Sequence, residues 1–301
     1  MHAFAEIQFD GARGDCFPEA ARRAQRLTAD HQSEVCRFLS ERPLQTFGLM
    51  GMIQANGLVH PQNRGDFYAY RGAKGELEGV ALIGYNTTFD ARSDEAVRAF
   101  ATLAESVVNP FLILAQEQQS ESFIQCFSSP MVACAEIERY WLFNYDGARG
   151  GRNPLPGLRL ATPDDLGLVA QAHNQCGIEE TGADGLALDP DGFTARCAGR
   201  IARRRTWVWI EQGKLILKLE VVTATREVAY LESLWIAPEE RHKGYGLRLL
   251  RQISEKLLEQ SASICLLAQE SNAAAQALYQ KAGYEVIDYY QAVFCNSTKS
   301  A

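Results

Sequence analysis

With 301 residues, 47% of them hydrophobic and 22% charged, the chain is long enough to bury two cores and is unlike a disordered polypeptide. A formal net charge of -7 leaves no basic excess to neutralise phosphates, which argues against nucleic acid as a partner. No signal-like apolar stretch opens the sequence and no run of about 18 or more apolar residues occurs, so neither secretion nor a membrane span is expected. The eight cysteines, at positions 16, 36, 126, 134, 176, 197, 265 and 295, lack C-x-x-C spacing. They read as reduced, mostly buried small hydrophobes of a cytoplasmic protein. His2, His31, His60, His173 and His242 form no ligand cluster, and no metal is expected.

In chain order, residues 1–28 are an N-terminal extension. Residues 29–146 carry their own succession of signals: helical periodicity over 31–56, strand-like runs at 67–70 and 79–85 around a turn at 72–75, a helix over 94–106, and strands at 111–115 and 137–143. Glycine and proline then concentrate over 147–157, as in an exposed connector. The remainder, 158–301, opens with a short strand at 158–160, an amphipathic helix over 163–176 and a second helix over 191–203 that ends in a basic cluster. Between these helices Glu179, Glu180, Asp184, Asp189 and Asp191 make an acidic, glycine-containing loop. An antiparallel hairpin is expected from 206–211 and 214–222 across Gln212-Gly213, with 227–236 pairing next and the aromatic tail 284–294 closing the sheet.

The most informative segment joins the apolar strand to a helix through a basic turn. Pro238 removes a ladder donor and ends the strand, Arg241-His242-Lys243 brings positive charge, and Gly244 and Gly246 lack a Cβ. Leu247, Leu250, Ile253, Leu257 and Leu258 then recur with the period of a helix burying one face. The first amides of that helix lack intrahelical partners and sit at the positive end of its dipole, which suits an anion such as a pyrophosphate. A dinucleotide fingerprint would need glycine at Leu249, and a P-loop would need Gly-Lys-Ser/Thr. An apolar run at 263–268 completes a strand-helix-strand unit. Residues 272–284 read as a helix with Asn272 as N-cap, one face of Ala275, Leu278, Tyr279 and Ala282, and Gly283 just past its end.

The pattern Arg241-x-x-Gly244-x-Gly246 after a strand resembles the acyl-CoA pyrophosphate loop of the GNAT superfamily of N-acetyltransferases. The alternative is an ordinary strand-to-helix turn whose glycines serve tight packing. The helix with Asn272, with Tyr279 seven positions later and with Gly283-Tyr284 at its end, resembles the last motif of the same superfamily. The resemblance covers residues from about 157 to 295. It implies an α/β GNAT fold, a mixed central sheet flanked by helices, with acetyl-CoA as acyl-donor substrate. Because helices, hairpin, helix and strand recur in the same order over 29–146, the chain is expected to be a tandem. The first module would be diverged and GNAT-like, and an unrelated α/β domain is the alternative.

The resemblance also implies roles. Tyr279 is the candidate acid for the leaving thiolate, a core aromatic being its other reading; a phenol of ordinary pKa about 10 is protonated at neutral pH. Asn272 matches the position that contacts the pantetheine region, and a plain N-cap is its alternative. Glu232, on the strand before the loop, is the candidate base, against a solvated strand-end carboxylate. Main chain at Leu234-Trp235-Ile236, where the family's strand bulges and splays, would meet the oxyanion and pair with the pantetheine amides. The pyrophosphate would lie on Arg241, His242, Lys243, Gly244, Tyr245 and Gly246. An acidic loop before the second helix would wall the acceptor pocket and favour a cationic amine, a merely solvated charged loop being its alternative.

These expectations amount to N-acetyl transfer to a small amine, an amino acid or a peptide amine. A regulatory acyl-CoA-binding module without turnover is one alternative, and a tandem enzyme forming a thiol-cofactor-like product is another. In the first half the strand-to-helix connection, read at 85–95, has no glycine pair and carries Asp90, Asp94 and Glu95, so a single CoA per chain is expected. That half would then shape the acceptor cleft or make an oligomer contact such as a homodimer.

Overall fold

The structure, a computed structural model, describes residues 23–107, 112–127, 136–147, 154–182 and 184–295. Backbone contacts divide the chain into two compact units. One comprises Met1–Val35, Asn56–Ile137 and Val293–Ala301, the other Cys36–Ala55 and Glu138–Ala292. The division does not follow a single cut at 147–157, since a helix of the first half and the strand from Glu138 onward cluster with the second unit. Residues 148–153 of the expected connector, 1–22 of the extension and Phe111 of the expected strand at 111–115 lie outside the described residues.

The first unit starts with β1 (Ala24–Arg26). Two helices follow, α1 (Gln32–Leu39), which crosses the division, and α2 (Pro43–Asn56), which lies in the second unit except for Asn56. Then come β2 (Gly65–Arg71), β3 (Leu77–Gly84), β4 (Asn86–Ala91), α3 (Asp94–Val107), β5 (Leu112–Gln116) and α4 (Glu117–Gln125). β1 to β4 are antiparallel neighbours in order, and β5 pairs parallel with β4. Ala96, Val97, Phe100, Leu103 and Ala104 form the buried stripe of α3, packed with Phe89 and Phe123. Residues 86–91, read from sequence as part of a connection, are strand. Their polar Thr87 can be buried because its hydroxyl donates to the carbonyl of Gly84 at 3.2 Å. The connection itself is only Arg92 and Ser93.

At the end of β4 a side chain takes the place of a further strand. The Ala91 amide donates to Gln119 Oε1 at 3.2 Å, and Gln119 Nε2 donates to the Ala91 carbonyl at 3.0 Å. Phe89 stacks on Phe123 beside this contact, with ring centroids 4.7 Å apart.

In the second unit β6 (Glu136–Tyr145, from Glu138 onward), β7 (Leu158–Leu160), α5 (Leu166–Thr181), α6 (Gly185–Leu188), α7 (Pro190–Ala202), β8 (Thr206–Glu211), β9 (Lys214–Ala224) and β10 (Val228–Ile236) succeed one another. α8 (Tyr245–Leu258), β11 (Ser263–Gln269), α9 (Ala273–Ala282) and β12 (Glu285–Phe294) complete it. The strands are ordered β12-β6-β11-β10-β9-β8-β7. β7 through β10 are antiparallel in turn and β11 is parallel to β10, which repeats the pairing series of β1 to β5. The tail strand β12 does not reach β11 directly, because β6, from before the connector, is inserted antiparallel along β11. One face of the sheet packs Phe143, Leu217, Leu249, Leu250, Ile253 and Ile264 beneath α8 and α9. The other carries α5, with Val169, Val208 and Leu215 buried there.

Candidate functional site

The central feature of the second unit is a strand pair that comes apart. β10 is paired with β11 only over Val228–Leu231 and Ser263–Leu266, although β11 continues to Gln269. On its other side β10 slips register against β9 between Glu232 and Trp235, and Ser233 adopts φ 52, left-handed backbone that an L residue enters only when something fixes it. The bulge turns the following main chain away from β11. A pocket of about 540 Å³ opens there, lined by Leu234, Trp235 and Ile236 of β10, Gln269 at the end of β11, Asn272, Leu278 and Tyr279 at α9, Cys176, Glu179 and Glu180 of α5, and Arg241 and His242 of the loop.

Each expected cofactor residue has a definite place. Leu234 and Ile236 point toward the α8 side of the sheet and Trp235 toward α5. Trp235 Nε1 is buried on the α5 side of the sheet without a hydrogen-bond partner. Asn272 is both N-cap and wall: its Oδ1 accepts from the Ala275 amide at 3.0 Å, and both readings of it hold together.

Of the loop, only Arg241 and His242 reach the pocket. Arg241 donates from Nε to the Ile236 carbonyl at 3.0 Å, and its Nη2 lies 3.0 and 2.9 Å from the two oxygens of Glu179. Lys243 is turned to Glu240 at 2.8 Å, and Tyr245 sets its ring edge-on to Trp209 with centroids 5.0 Å apart. Gly244 caps α8 at φ 79 with open space where a Cβ would be. Gly246 serves packing instead, since a Cβ there would stand 3.0 Å from Leu278 Cδ2 and 3.2 Å from Ile236 Cδ1. The basic turn and the packing turn are thus one structure, with the first glycine shaping the loop and the second bringing α8 against α9.

Tyr279 is a pocket wall as well as a packed aromatic. Its ring meets Phe143 edge-on at 5.5 Å, and its hydroxyl makes no hydrogen bond among the described residues. Burial, followed by the nearby Glu180 and Cys176, pushes its pKa above the ordinary phenol value. Glu232 lies outside the pocket lining, with Oε1 3.8 Å from Arg200 Nη2.

Of the acidic residues expected to wall the acceptor pocket, Glu179 and Glu180 do line this one, but from a helix rather than a loop. α5 does not stop near Cys176 but runs to Thr181, so Glu179 and Glu180 stand on the last helical turn rather than in a loop. Glu180 Oε1 accepts from the Cys176 thiol at 3.4 Å. Glu180 is exposed as a residue, but desolvation of its carboxyl in the pocket wall, and then Glu232 and Glu179, raise its pKa against the lowering effect of Cys176 and Lys218. Cys176 itself stays a thiol, because burial and Glu180 push it up to about 12, and it is no nucleophile.

Behind the bulge, fully buried Lys218 reaches Ser233 O at 3.2 Å, Glu220 Oε1 at 3.4 Å and His173 Nδ1 at 3.3 Å. Arg200 Nη1 lies 2.7 Å from His173 Nε2. Burial together with these two cations drives the His173 pKa down to about 2, so this imidazole is neutral and an ineffective base. The signal in the sequence was a lysine and a glutamate, Lys218 and Glu220, inside an apolar strand.

Among the described residues no group of His, Cys, Asp and Glu could hold a metal ion, and no helix is long and apolar enough to cross a membrane. Residues 180–284 match the family model described as Acetyltransferase (GNAT) family. An acetyltransferase of the GNAT family from Colwellia psychrerythraea is similar in structure, with TM-score 0.59 and 13% identity over 91% of this chain and 99% of that one. A Drosophila protein gives TM-score 0.67 at 13% identity, over 91% of this chain and 98% of that one. A tandem GNAT protein from the clavulanic acid biosynthesis pathway gives 0.52 at 16%, covering 91% and 99%. No curated protein matches by sequence. The fold is like that of a tandem GNAT protein, and the part of the chain that matches the GNAT acetyltransferase family model is residues 180–284.

Proposed function

We propose that the second unit transfers the acetyl group of acetyl-CoA to a primary amine. The observation that carries this reading is the open β10–β11 pair, whose pocket holds a bulged strand on one side and the unbonded hydroxyl of Tyr279 on the other. Strand main chain that has lost its neighbour suits the amides of a pantetheine arm. The first amides of α8, with Arg241, His242 and Lys243 before them, suit the pyrophosphate. Glu179 and Glu180 give the pocket negative charge, which favours an ammonium group over an anionic acceptor.

In the reaction an amine nitrogen forms its bond to the thioester carbonyl carbon and the carbon–sulfur bond breaks with its electron pair on sulfur. Tyr279 supplies the proton that turns the departing thiolate into a thiol, and the phenolate recovers a proton from the new amide nitrogen through solvent. The main chain after the bulge supplies donors for the developing oxyanion. We place the enzyme in the cytoplasm, in keeping with six free cysteines among the described residues.

The test is a mass-spectrometric screen of amines with acetyl-CoA, scored for acetylated product and for CoA release together. Stoichiometric appearance of both supports transfer. Tight CoA binding with only slow, acceptor-independent hydrolysis would replace the enzyme by a regulatory acyl-CoA module.

A further inference from the structure

We infer that Glu180 is the group that takes the proton from the incoming ammonium. This rests on the transfer reading above. Of the two carboxylates, Glu180 lines the pocket and Glu232 does not. Glu180 stands on the last turn of α5 in the same pocket lining as Tyr279, within electrostatic reach of it. Glu232 is instead drawn toward the guanidinium of Arg200, 3.8 Å away.

The groups facing Glu180 explain why it suits the task. From its own helix come Cys176, which donates to it at 3.4 Å, and Glu179, whose charge opposes its ionisation. Glu232 on β10 opposes it too, while Lys218 on β9 favours it. Tyr140 on β6, Tyr230 on β10 and Tyr279 on α9 all lie within its electrostatic reach. Glu180 is exposed as a residue, yet desolvation of its carboxyl in the pocket wall and like charge together outweigh the lysine and raise its proton affinity. A base of that kind is better matched to an ammonium near neutral pH than an ordinary glutamate. His173 cannot substitute for it, held neutral between Lys218 and Arg200.

The step balances without another reactant. Ionised Glu180 accepts one proton from the ammonium, leaving a neutral amine whose lone pair forms the new bond. After the carbon–sulfur bond has broken, protonated Glu180 returns its proton to solvent, and each turnover releases one proton.

The experiment compares intact wild type with the Glu180→Gln and Glu232→Gln variants, using putrescine, free lysine and a lysine-containing hexapeptide as probe amines. Transfer is followed from pH 5 to 10, with CoA affinity measured by calorimetry and folding by thermal melting. Glu180→Gln is expected to keep its melting temperature and CoA affinity and to lose about 10²-fold or more in kcat. Its residual rate should climb with pH as free amine replaces ammonium, without the acidic limb expected of wild type. Glu232→Gln should retain the limb, displaced to lower pH because a like charge has gone. A wild-type rate and limb in Glu180→Gln, or their loss in Glu232→Gln alone, overturns the assignment while leaving transfer standing. If wild type transfers to none of the probes, the transfer reading falls and this assignment with it.

Discussion

Lys218, with no exposed surface, donates from Nζ to the main-chain oxygen of Ser233 at 3.2 Å. That contact ties the buried floor of the second unit to the residue whose left-handed backbone opens the strand pair. A non-glycine residue in that conformation costs about 1 to 2 kcal/mol, and a charge-assisted bond to its carbonyl offsets it. Removing the lysine alone should be damaging for another reason, since Glu220, 1% exposed, would lose its cation. Lys218→Met is therefore expected to lose about 3 to 5 kcal/mol of stability, and Lys218→Met with Glu220→Met to recover most of it. If the bond to Ser233 shapes the pocket, the recovered double variant will still bind acetyl-CoA at least tenfold more weakly than wild type. Calorimetry alongside chemical denaturation separates the two effects, and wild-type affinity in the double variant would show that the bulge holds itself.

Replacing Tyr279 by Phe keeps the edge-on contact with Phe143 and removes only a hydroxyl that bonds to nothing in the described structure. The melting temperature should barely change while kcat falls about 10²-fold, the range of general acid catalysis. Lost stability with unchanged turnover would make the ring, not the hydroxyl, the reason for a tyrosine here.

Arg241 is paired with Glu179, so a pyrophosphate has to compete with a carboxylate. Both side chains are more than a third exposed, and such pairs are weak. Glu179→Gln should accordingly tighten CoA binding only a few-fold, more at low salt than at high. Isothermal titration at two ionic strengths checks this, and weaker binding in the variant would mean that Glu179 orients Arg241 for the phosphate instead of withholding it.

The two loop glycines should respond differently. Gly246→Ala forces a methyl against Leu278 and Ile236, so stability falls as α8 is pushed from α9. Gly244→Asp meets no neighbour, but it strains a positive φ and places a negative charge at the helix N-terminus. Its main effect should be acetyl-CoA affinity reduced by more than tenfold. Melting and binding measured on both variants distinguish packing from phosphate recognition.

How far the sequence revealed this site depends on how local each determinant is. The turn from Pro238 to Gly246 and the helix from Asn272 to Gly283 were legible, because strand end, cap, periodicity and glycine positions all sit within one short segment. The helical place of Glu180 was not. Its helix carries Gly177 and polar residues in its last turns and ends only at Gly182, φ 70, so the apolar stripe fades before the helix does. β4 was misread because Asn86, Thr87 and Thr88 resemble a turn until Gly84 is seen to satisfy the buried Thr87 hydroxyl. The insertion of β6 beside β11 rests on pairings more than a hundred residues apart, which no local pattern encodes.

The central claim is that one acetyl-CoA binds per chain, in the second unit. In the first unit the equivalent strand end is closed by Gln119, which bonds both polar groups of Ala91, and the connection after β4 is two residues long. Calorimetric titration of the full chain with acetyl-CoA tests this most directly. A stoichiometry near one, lost in folded Gly244→Asp, is the predicted result; two equivalent sites, or undiminished binding in that variant, would contradict it.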